Sequence, residues 1–434
     1  MATTKKADVG KVKAALTDTG SREVRYMRTG TTLVDLVLAG KKGELGLIQG
    51  TIFSLIGDPN AGKTAFINDM LAYCIHTYGK KFKWFKDTVE NGDTYDSEET
   101  METYGVDLNA APKVGNYTFR RSHTVEDMDA QVGLFLNSLQ PDELAVYSVD
   151  SVDGLSSAAK EAEAKARQDK LKKGEAVVDK GTYGAEIPKF LSQSFFKTKA
   201  GPCEQKNLTI TLVNQKHPNL DIMSKKDFKV SGGVTQEYYW SNQLNIKAVK
   251  QIMKNGVPVG FLVEAKSLKS RNKRPGRKCY YTFYPEYGID NIGSNIDYLY
   301  DLINFDNPNI AKYSFIDKPL VWSDRADAPE VTLDGVKAWL ECKGWLEQCR
   351  DYARAKNGKA NLSVSLMQEF ASTVPEIKEA MEAEFGRIYT KDELIRAIEN
   401  DRDMEAELER RVIAKWERIE DEANPVAGRR RKFA

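Results

Sequence analysis

The chain has 434 residues, 29% of them charged, with a mean hydropathy of −0.51 and a formal net charge of +1. This length fits roughly two or three domains, and the composition is that of a globular protein and not of a disordered one. No apolar run approaches the ~18 residues that a transmembrane helix needs, and the first residues lack the apolar segment of a signal peptide, so we expect a cytoplasmic protein without membrane contact.

The first two thirds of the chain predict alternating strands and helices. Residues 1–23 are polar and lysine-rich, which predicts an N-terminal arm. Beyond them, apolar runs that end in turns predict buried strands, and the apolar spacing over 65–78 predicts a helix. This alternation indicates an α/β core whose mostly parallel sheet is covered by helices on both faces. The predicted strands span 52–56, 82–85, 145–149, 208–213, 243–249, 259–265 and 280–284.

Beyond about residue 289 the apolar spacing becomes mainly helical, so we place a domain boundary near residue 290. The Glu- and Arg-rich stretch 391–422 also has helical spacing and predicts a solvated or partner-binding helix. The predicted parts are an N-terminal arm (1–23), an α/β core (24–290), a small, mainly helical C-terminal domain (291–390), and a charged helical extension with a basic tail (391–434).

Charge is unevenly distributed although the total nearly cancels. Between Ser241 and Tyr280 there are ten Lys or Arg and one Glu, a net charge of +9. From Glu369 to Asn424 there are 17 acidic and 9 basic residues, a net charge of −8. A single run of charge usually forms a solvated surface, but a basic block of this size in a neutral chain suggests a polyanionic partner.

Cysteine and histidine usage argues against a disulfide framework or a structural zinc site. The number of cysteines is odd, no Cys-x-x-Cys occurs, and the three histidines are dispersed. We therefore expect reduced thiols in the core.

One motif has a specific chemical meaning. Residues 57–64 fit Gly-x4-Gly-Lys-Thr, with a predicted strand before them and a predicted helix after them, as a phosphate-binding loop requires. Backbone N–H groups of such a loop surround phosphate oxygens, Lys63 reaches the β- and γ-phosphates, and the Thr64 hydroxyl binds Mg²⁺. We expect ATP and Mg²⁺ as cofactors. The nucleotide-binding residues are Gly57, Asp58, Pro59, Asn60, Ala61, Gly62, Lys63, Thr64 and Ala65.

Acidic residues after two other predicted strands complete this site. Asp150 directly follows the apolar run 144–149, where it can hold a metal-bound water. Hydrolysis also needs a group that orients or deprotonates the attacking water, and the segment after the second strand offers Glu90, with Asp87 as the second choice.

These pieces, in this order, resemble the RecA/UvsX family of DNA strand-exchange recombinases, and phage-type members most. The resemblance covers roughly residues 24–300, with a weaker similarity over 361–385. It is based on the phosphate-binding loop and on the segments Arg28–Leu38, Val149–Val152, Val213–Gln215, Ser231–Gly233, Arg271–Lys273 and Tyr284–Asp290. It implies a RecA-type P-loop core and a DNA-dependent ATPase activity.

The resemblance also implies roles away from the phosphates. Gln215 would sense the γ-phosphate and transmit its state to the segment that follows, as an amide at a strand end can. Arg271 and Lys273 would reach across a subunit interface to the neighbour's ATP, as arginine fingers do. The alternative for this basic cluster is direct contact with the DNA backbone.

Two loops would bind DNA according to the same resemblance. Basic groups neutralise phosphates, and Met or Phe side chains stack on bases or wedge between them. The loop 156–184 is Ala/Glu/Lys-rich, so its first half is expected to become a helix on DNA, or else to be a solvated charged helix. The DNA-binding candidates are Lys165, Arg167, Lys170, Lys172 and Lys173 in this loop, and Met223, Lys225, Lys226, Phe228 and Lys229 in the loop 216–233.

The sequence thus predicts an ATP-dependent recombinase that forms filaments on single-stranded DNA and promotes homologous pairing and strand exchange in recombination and repair. Its partners would be single-stranded DNA, homologous duplex DNA, further copies of itself and a single-strand-binding or mediator protein. Its location would be the cytoplasm, or the host cytoplasm or nucleoid if it is viral. The alternatives are a ring helicase motor with the same core, and a DNA-protecting filament protein that exchanges no strands.

Overall fold

The computed structural model describes residues 24–89, 97–108, 113–114, 117–118, 121–174, 186–218, 228–230, 234–271, 274–304, 314–316, 318–325, 328–329 and 331–424.

The strands of the described ranges form one large sheet and four small two-stranded ones. In chain order they are β1 (Tyr26–Met27), β2 (Leu47–Ile48), β3 (Ile52–Gly57), β4 (Phe82–Thr88), β5 (Lys113–Val114), β6 (Tyr117–Thr118), β7 (Leu144–Asp150), β8 (Leu208–Pro218), β9 (Phe228–Val230), β10 (Trp240–Lys254), β11 (Val257–Ser270), β12 (Lys278–Tyr284), β13 (Gly288–Asp290), β14 (Ile303–Asn304), β15 (Ser314–Phe315), β16 (Leu320–Trp322) and β17 (Arg387–Tyr389).

The helices alternate with strands in the first part of the chain and dominate the last part. They are α1 (Thr32–Ala39), α2 (Lys63–Tyr78), α3 (Ser97–Tyr104), α4 (Val125–Ser138), α5 (Ala158–Lys172), α6 (Glu186–Phe190), α7 (Phe196–Gln205), α8 (Asn291–Leu299), α9 (Leu333–Cys342), α10 (Leu346–Asn357), α11 (Val364–Thr373), α12 (Pro375–Phe385), α13 (Lys391–Glu399) and α14 (Arg402–Glu422).

The large sheet has the order β13-β12-β11-β10-β3-β8-β7-β4, and β9 pairs with the end of β8. The five strands from β10 to β4 are parallel, whereas β11, β12 and β13 continue the sheet as antiparallel neighbours. All carboxyl ends of the parallel strands therefore lie at one edge of the sheet, which we call the carboxyl edge, and their first residues lie at the opposite amino edge.

Alternating side chains of the parallel strands pack on two faces, as an α/β sheet requires. Val146 belongs to a core cluster with α1 and α2, while its neighbours Ala145 and Tyr147 belong to a second cluster with α4 and α7. The prediction of an α/β core with helices on both faces is confirmed. A third cluster joins β16, β17 and the helices α9 to α12.

The segment 391–422 differs from its prediction. It forms the two helices α13 and α14, and most of their large apolar side chains pack into the main core cluster. The spacing of four residues between Leu408, Val412 and Trp416 places all three on the buried face of α14. High charge on the outer face concealed this stripe in the sequence.

All five cysteines are free, and only Cys342 is exposed, which fits the expected reduced thiols. Within the described ranges, no helix is long and apolar enough to cross a membrane.

Candidate active site

The phosphate-binding motif forms the turn between β3 and α2 at the carboxyl edge. β3 is entirely buried and ends at Gly57, and α2 begins at Lys63. Gly62 precedes α2 with a φ of 82°, a left-handed conformation that strongly favours glycine. No side chain caps this helix, so its first N–H groups face the loop, as an anion site requires.

The Lys63 side chain folds back onto the phosphate loop. Its Nζ donates to the carbonyl oxygens of Gly57 and Asp58 at 3.2 and 2.8 Å. Thr64 and Ala65 follow in the first helical turn and are half-buried. An ammonium group, a hydroxyl group and free helical N–H groups on one turn match the donors that nucleotide phosphates need, so the loop fits ATP with Mg²⁺.

Two predicted residues lie in the strands beside this loop. Gln215 of β8 is the register partner of Gly57, so Gln215 lies next to the start of the loop. Its backbone N–H donates to Asp153 Oδ2 at 2.7 Å. Asp150 ends β7, the next strand along the sheet, and is 7% exposed. The sheet thus brings Lys63, Gln215 and Asp150 to one edge.

The predicted water-activating acid has two candidates with different outcomes. Glu90 lies outside the described residues. Thr88 of β4, two residues before Glu90 in the chain, pairs with Asp150. Asp87 is fully buried and accepts hydrogen bonds from Ser122 N, Ser122 Oγ and Tyr147 Oη at 2.9, 2.6 and 2.7 Å. Burial raises the pKa of the Asp87 carboxyl. Asp87 therefore joins β4 to β7 and to Ser122, which lies just before α4. Glu90 stays the predicted water-activating acid.

Lys216 is a residue of this edge whose role the sequence did not predict. Its Nζ lies 3.2 Å from the Asp58 carboxylate in the phosphate loop and 5.6 Å from the centre of the Phe228 ring. The side chain is only 15% exposed. Lys216 thus contacts the phosphate loop on one side and β9 on the other. Its position directly after Gln215 was the only available signal.

The second predicted DNA loop is described only at its ends. β9 pairs antiparallel with the end of β8, so that Phe228 lies opposite Pro218 and Lys229 opposite His217. Met223, Lys225, Lys226 and the side chain of Lys229 lie outside the described residues. Because Lys216 contacts both Asp58 and Phe228, Phe228 lies near the phosphate loop.

The first predicted DNA loop contains the helix α5. Ser157 caps its N-terminus by accepting from Lys160 N at 3.3 Å, and none of its residues is buried. All five candidates in this segment are exposed: Lys165, Arg167, Lys170, Lys172 and Lys173. The first half of this segment is thus helical, and its contact with DNA remains a prediction.

Arg271, the first residue of the predicted trans-acting pair, lies at the amino edge, away from the phosphate loop. Arg271 N donates to Ser241 O at 2.9 Å, and the Arg271 guanidinium donates to the Tyr238 carbonyl. Ser241 lies at the start of β10, whereas Gly57 pairs with Ile246 of the same strand. Ser241 and Ile246 are five residues apart along β10, a distance of about 16 Å. This distance exceeds the reach of an arginine side chain. Arg271 therefore cannot serve the phosphate loop of its own subunit. Lys273 lies outside the described residues.

The chain is similar over part of its length to two known proteins. No family model matches the chain. Protein RecA of Ruminococcus albus is 23% identical over 201 residues, which are 46% of this chain and 50% of that protein. The chain thus spans about half the length of this relative. The crystal structure of the RadB recombinase aligns with 61% of this chain and 98% of that one, at 17% identity and a TM-score of 0.39. The sequence match to Protein RecA supports a relationship with RecA-type recombinases.

Proposed function

We propose that this chain is an ATP-dependent DNA recombinase that polymerises on single-stranded DNA and promotes homologous pairing and strand exchange. The main supporting observation is the register pairing of Gly57 with Gln215, because it joins the phosphate loop to the strand that leads into the predicted DNA loop. A nucleotide-dependent change at one would then move the other. The similarity to Protein RecA supports the same reading.

Residues of the carboxyl edge would bind and hydrolyse ATP. The loop 57–65 would hold the phosphates, with Lys63 on the β- and γ-oxygens and Thr64 on Mg²⁺. Asp150 would hold a metal-bound water, and Glu90 would activate the attacking one. When bound, Mg²⁺ neutralises charge on the phosphate oxygens. Gln215 would report the presence of the γ-phosphate to the segment after β8.

Residues of the amino edge would complete the neighbour's site. Arg271 is too far from its own phosphate loop to act there, so a catalytic role for it requires a second subunit. Such head-to-tail contacts generate open helical filaments where the rotation does not close. A cation that arrives only on assembly would make hydrolysis depend on the filament.

The DNA contacts would come from the two predicted loops. The exposed cations of α5 and the basic residues of the loop 216–233 would neutralise phosphates, and Phe228 with Met223 would contact bases. Lys216 would link Phe228 to Asp58 of the phosphate loop.

Imaging and strand-exchange measurements test this proposal together. The protein with single-stranded DNA and a slowly hydrolysed ATP analogue should form helical filaments, and with ATP it should pair and exchange homologous strands. Closed hexamers would favour a ring helicase motor. Filaments without exchange, in conditions that support ATP hydrolysis, would favour a DNA-protecting protein.

A further inference from the structure

The register of the sheet places Lys216 directly beside the phosphate loop. Gln215 of β8 pairs with Gly57 of β3 in parallel register, and the residues that follow them in the chain are Lys216 and Asp58. The side chains of these two residues form an ion pair, with Lys216 Nζ 3.2 Å from Asp58 Oδ1. The Lys216 side chain is 15% exposed and that of Asp58 49%. The ammonium group is therefore more sheltered than that of an ordinary surface lysine.

The backbone that carries Lys216 is held on both sides. The N–H of Gln215, the preceding residue, donates to Asp153 Oδ2 at 2.7 Å, and Asp153 lies in the short helical turn after β7. Lys216 itself is the register partner of Val230 in β9. With its backbone held between β7 and β9, Lys216 can respond to its surroundings mainly through its side chain.

The same ammonium group also contacts β9. It lies 5.6 Å from the centre of the Phe228 ring, within the range at which a cation is attracted by the face of an aromatic ring. Phe228 is the register partner of Pro218, which is two residues after Lys216 and on the same face of β8. Long side chains reach such diagonal neighbours across antiparallel strands. A single side chain thus joins the phosphate loop to β9.

Asp58 contacts two ammonium groups of the site. Its carbonyl oxygen accepts from Lys63 Nζ at 2.8 Å, and its carboxylate pairs with Lys216. Lys63 is the side chain that would bind the β- and γ-phosphates. A phosphate that draws Lys63 toward itself would change the bond to the Asp58 peptide, and the Asp58 carboxylate moves with that peptide. Lys216 would then receive the change through its ion pair.

We propose that Lys216 is a positioning residue that transmits the state of the phosphate loop to β9, so that ATP and single-stranded DNA strengthen each other's binding through the contacts of Lys216 with Asp58 and Phe228. This rests on the proposed function, in which the loop 57–65 binds ATP and the loop 216–233 binds DNA. Coupling between two binding sites is reciprocal, so each ligand raises the affinity for the other by the same factor.

The ratio of two dissociation constants measures this coupling. Fluorescence anisotropy with a short labelled single-stranded oligonucleotide, at one salt concentration, gives the dissociation constant without nucleotide and with a slowly hydrolysed ATP analogue. The ratio should be well above one in the unaltered protein. It should be about fivefold smaller in Lys216→Met, the effect of losing one partly buried charge contact. Methionine keeps an unbranched apolar stem against Phe228 and removes the charge.

Two further variants test which contacts carry the coupling. Lys216→Arg keeps a cation that can pair with Asp58 and lie over the Phe228 ring, so it should keep most of the coupling. Asp58→Asn should lower the ratio by about the same factor as Lys216→Met. The Lys216→Met/Asp58→Asn protein should show no further loss, because both changes remove the same contact. A combined loss equal to the product of the single losses would show that the two residues act independently and would overturn the proposal.

Lys199→Met is the matched control. Lys199 of α7 pairs with Asp129 of α4 at 3.1 Å, and its side chain is 14% exposed, so this ion pair resembles that of Lys216 in length and in the burial of its lysine. It joins two helices that pack on the sheet and should leave the ratio unchanged. An equal loss of coupling in Lys199→Met would show that any half-buried ion pair has this effect, and would remove the specific role of Lys216.

The outcomes distinguish this inference from the function beneath it. If the ratio is near one in the unaltered protein, the link between the phosphate loop and the DNA loop is wrong, and Lys216 loses its role with it. If the unaltered protein shows the coupling and Lys216→Met keeps it, only the role of Lys216 is wrong. DNA binding that Lys216→Met weakens equally with and without the analogue would make Lys216 a plain DNA contact. A smaller ratio in folded Lys216→Met, with the ratio kept in Lys216→Arg and Lys199→Met, supports the proposal.

Discussion

The two edges of the large sheet differ in how their functional side chains are brought together. At the carboxyl edge, the loop 57–65 follows directly from a buried strand, Asp150 and Gln215 lie in neighbouring strands, and parallel register aligns all three. At the amino edge, Arg271 is held by a bond to β10. Arg274 and Arg277 are held by Glu420, which lies 146 and 143 residues further along the chain. The residues of one edge lie in or beside the parallel strands themselves, whereas the arginines of the other are held by a helix that docks from outside the sheet.

The strongest test of the carboxyl edge is the removal of its central cation. Lys63→Ala should abolish ATP hydrolysis, with a loss of about a hundredfold or more, because the charge on the β/γ-phosphates would no longer be neutralised. Steady-state phosphate release with saturating single-stranded DNA measures this. Lys80→Ala, an exposed lysine beyond the other end of α2, is the matched control and should hydrolyse normally. Near-normal hydrolysis by a folded Lys63→Ala protein would contradict the assignment of the loop.

We expect a comparable loss of ATP hydrolysis when the cations predicted to act from the amino edge are removed. Here, however, the rate of hydrolysis should depend differently on protein concentration. The Arg271→Ala/Lys273→Ala protein should hydrolyse ATP about a hundredfold more slowly while it still binds nucleotide. In the unaltered protein, hydrolysis should rise faster than linearly with protein concentration and require DNA, because each site is completed by a neighbour. Hydrolysis strictly proportional to protein concentration, or a double variant that fails only in DNA binding, would assign this cluster to the DNA backbone.

The carboxyl edge could be predicted because its signals are short in sequence. A buried strand, a glycine-rich turn and a helix fix Lys63 and Thr64 within one segment, and strand ends placed Asp150 and Gln215 without knowledge of any distant contact. The same reasoning missed Lys216, since a single lysine after a strand has no pattern, and its meaning comes from Asp58 and Phe228 on other elements.

The amino edge could not be predicted to the same depth. The buried residues of α14 are only three among many charges, so the sequence of 391–422 suggested a solvated or partner-binding helix. Glu420 is one of 17 acidic residues in its region, and nothing in its neighbours distinguishes it from Glu422. The packing of α14 on the core, which includes Trp416 against Tyr298, determines which acids face Arg274 and Arg277.

Salt dependence tests the DNA contacts that the carboxyl edge would control. Replacing Lys225, Lys226 and Lys229 together with Ala should flatten the slope of log affinity against log salt by up to ~0.7 for each lost phosphate contact on a single strand. Fluorescence anisotropy over a salt series measures the slope. Ala at three exposed lysines of the C-terminal helical region, Lys337, Lys343 and Lys359, is the matched control. An unchanged slope in the first variant would mean that this loop does not contact DNA.

The smallest expected effect concerns Asp69, which links the helix of the carboxyl edge to the antiparallel side of the sheet. Asp69 of α2 accepts from Ile289 N of β13 at 2.8 Å, and burial raises the pKa of its carboxyl to about 7. The folded protein therefore holds a proton that the unfolded chain has released between about pH 4 and pH 7, so this residue lowers the free energy of unfolding as pH rises through that window.

Asp69→Asn removes this titration while its amide oxygen can still accept from Ile289. Relative to the unaltered protein, the variant should therefore gain stability steadily from about pH 5 to about pH 8. Urea unfolding at both pH values measures the difference, and comparison of the two proteins cancels other groups that titrate in this range, such as Asp297, whose pKa burial raises to about 6. Stability curves that stay parallel would show that Asp69 is ionised in the folded protein. The bond between α2 and β13 would then be a charged one, and the two sides of the sheet would be joined more strongly than the buried neutral acid implies.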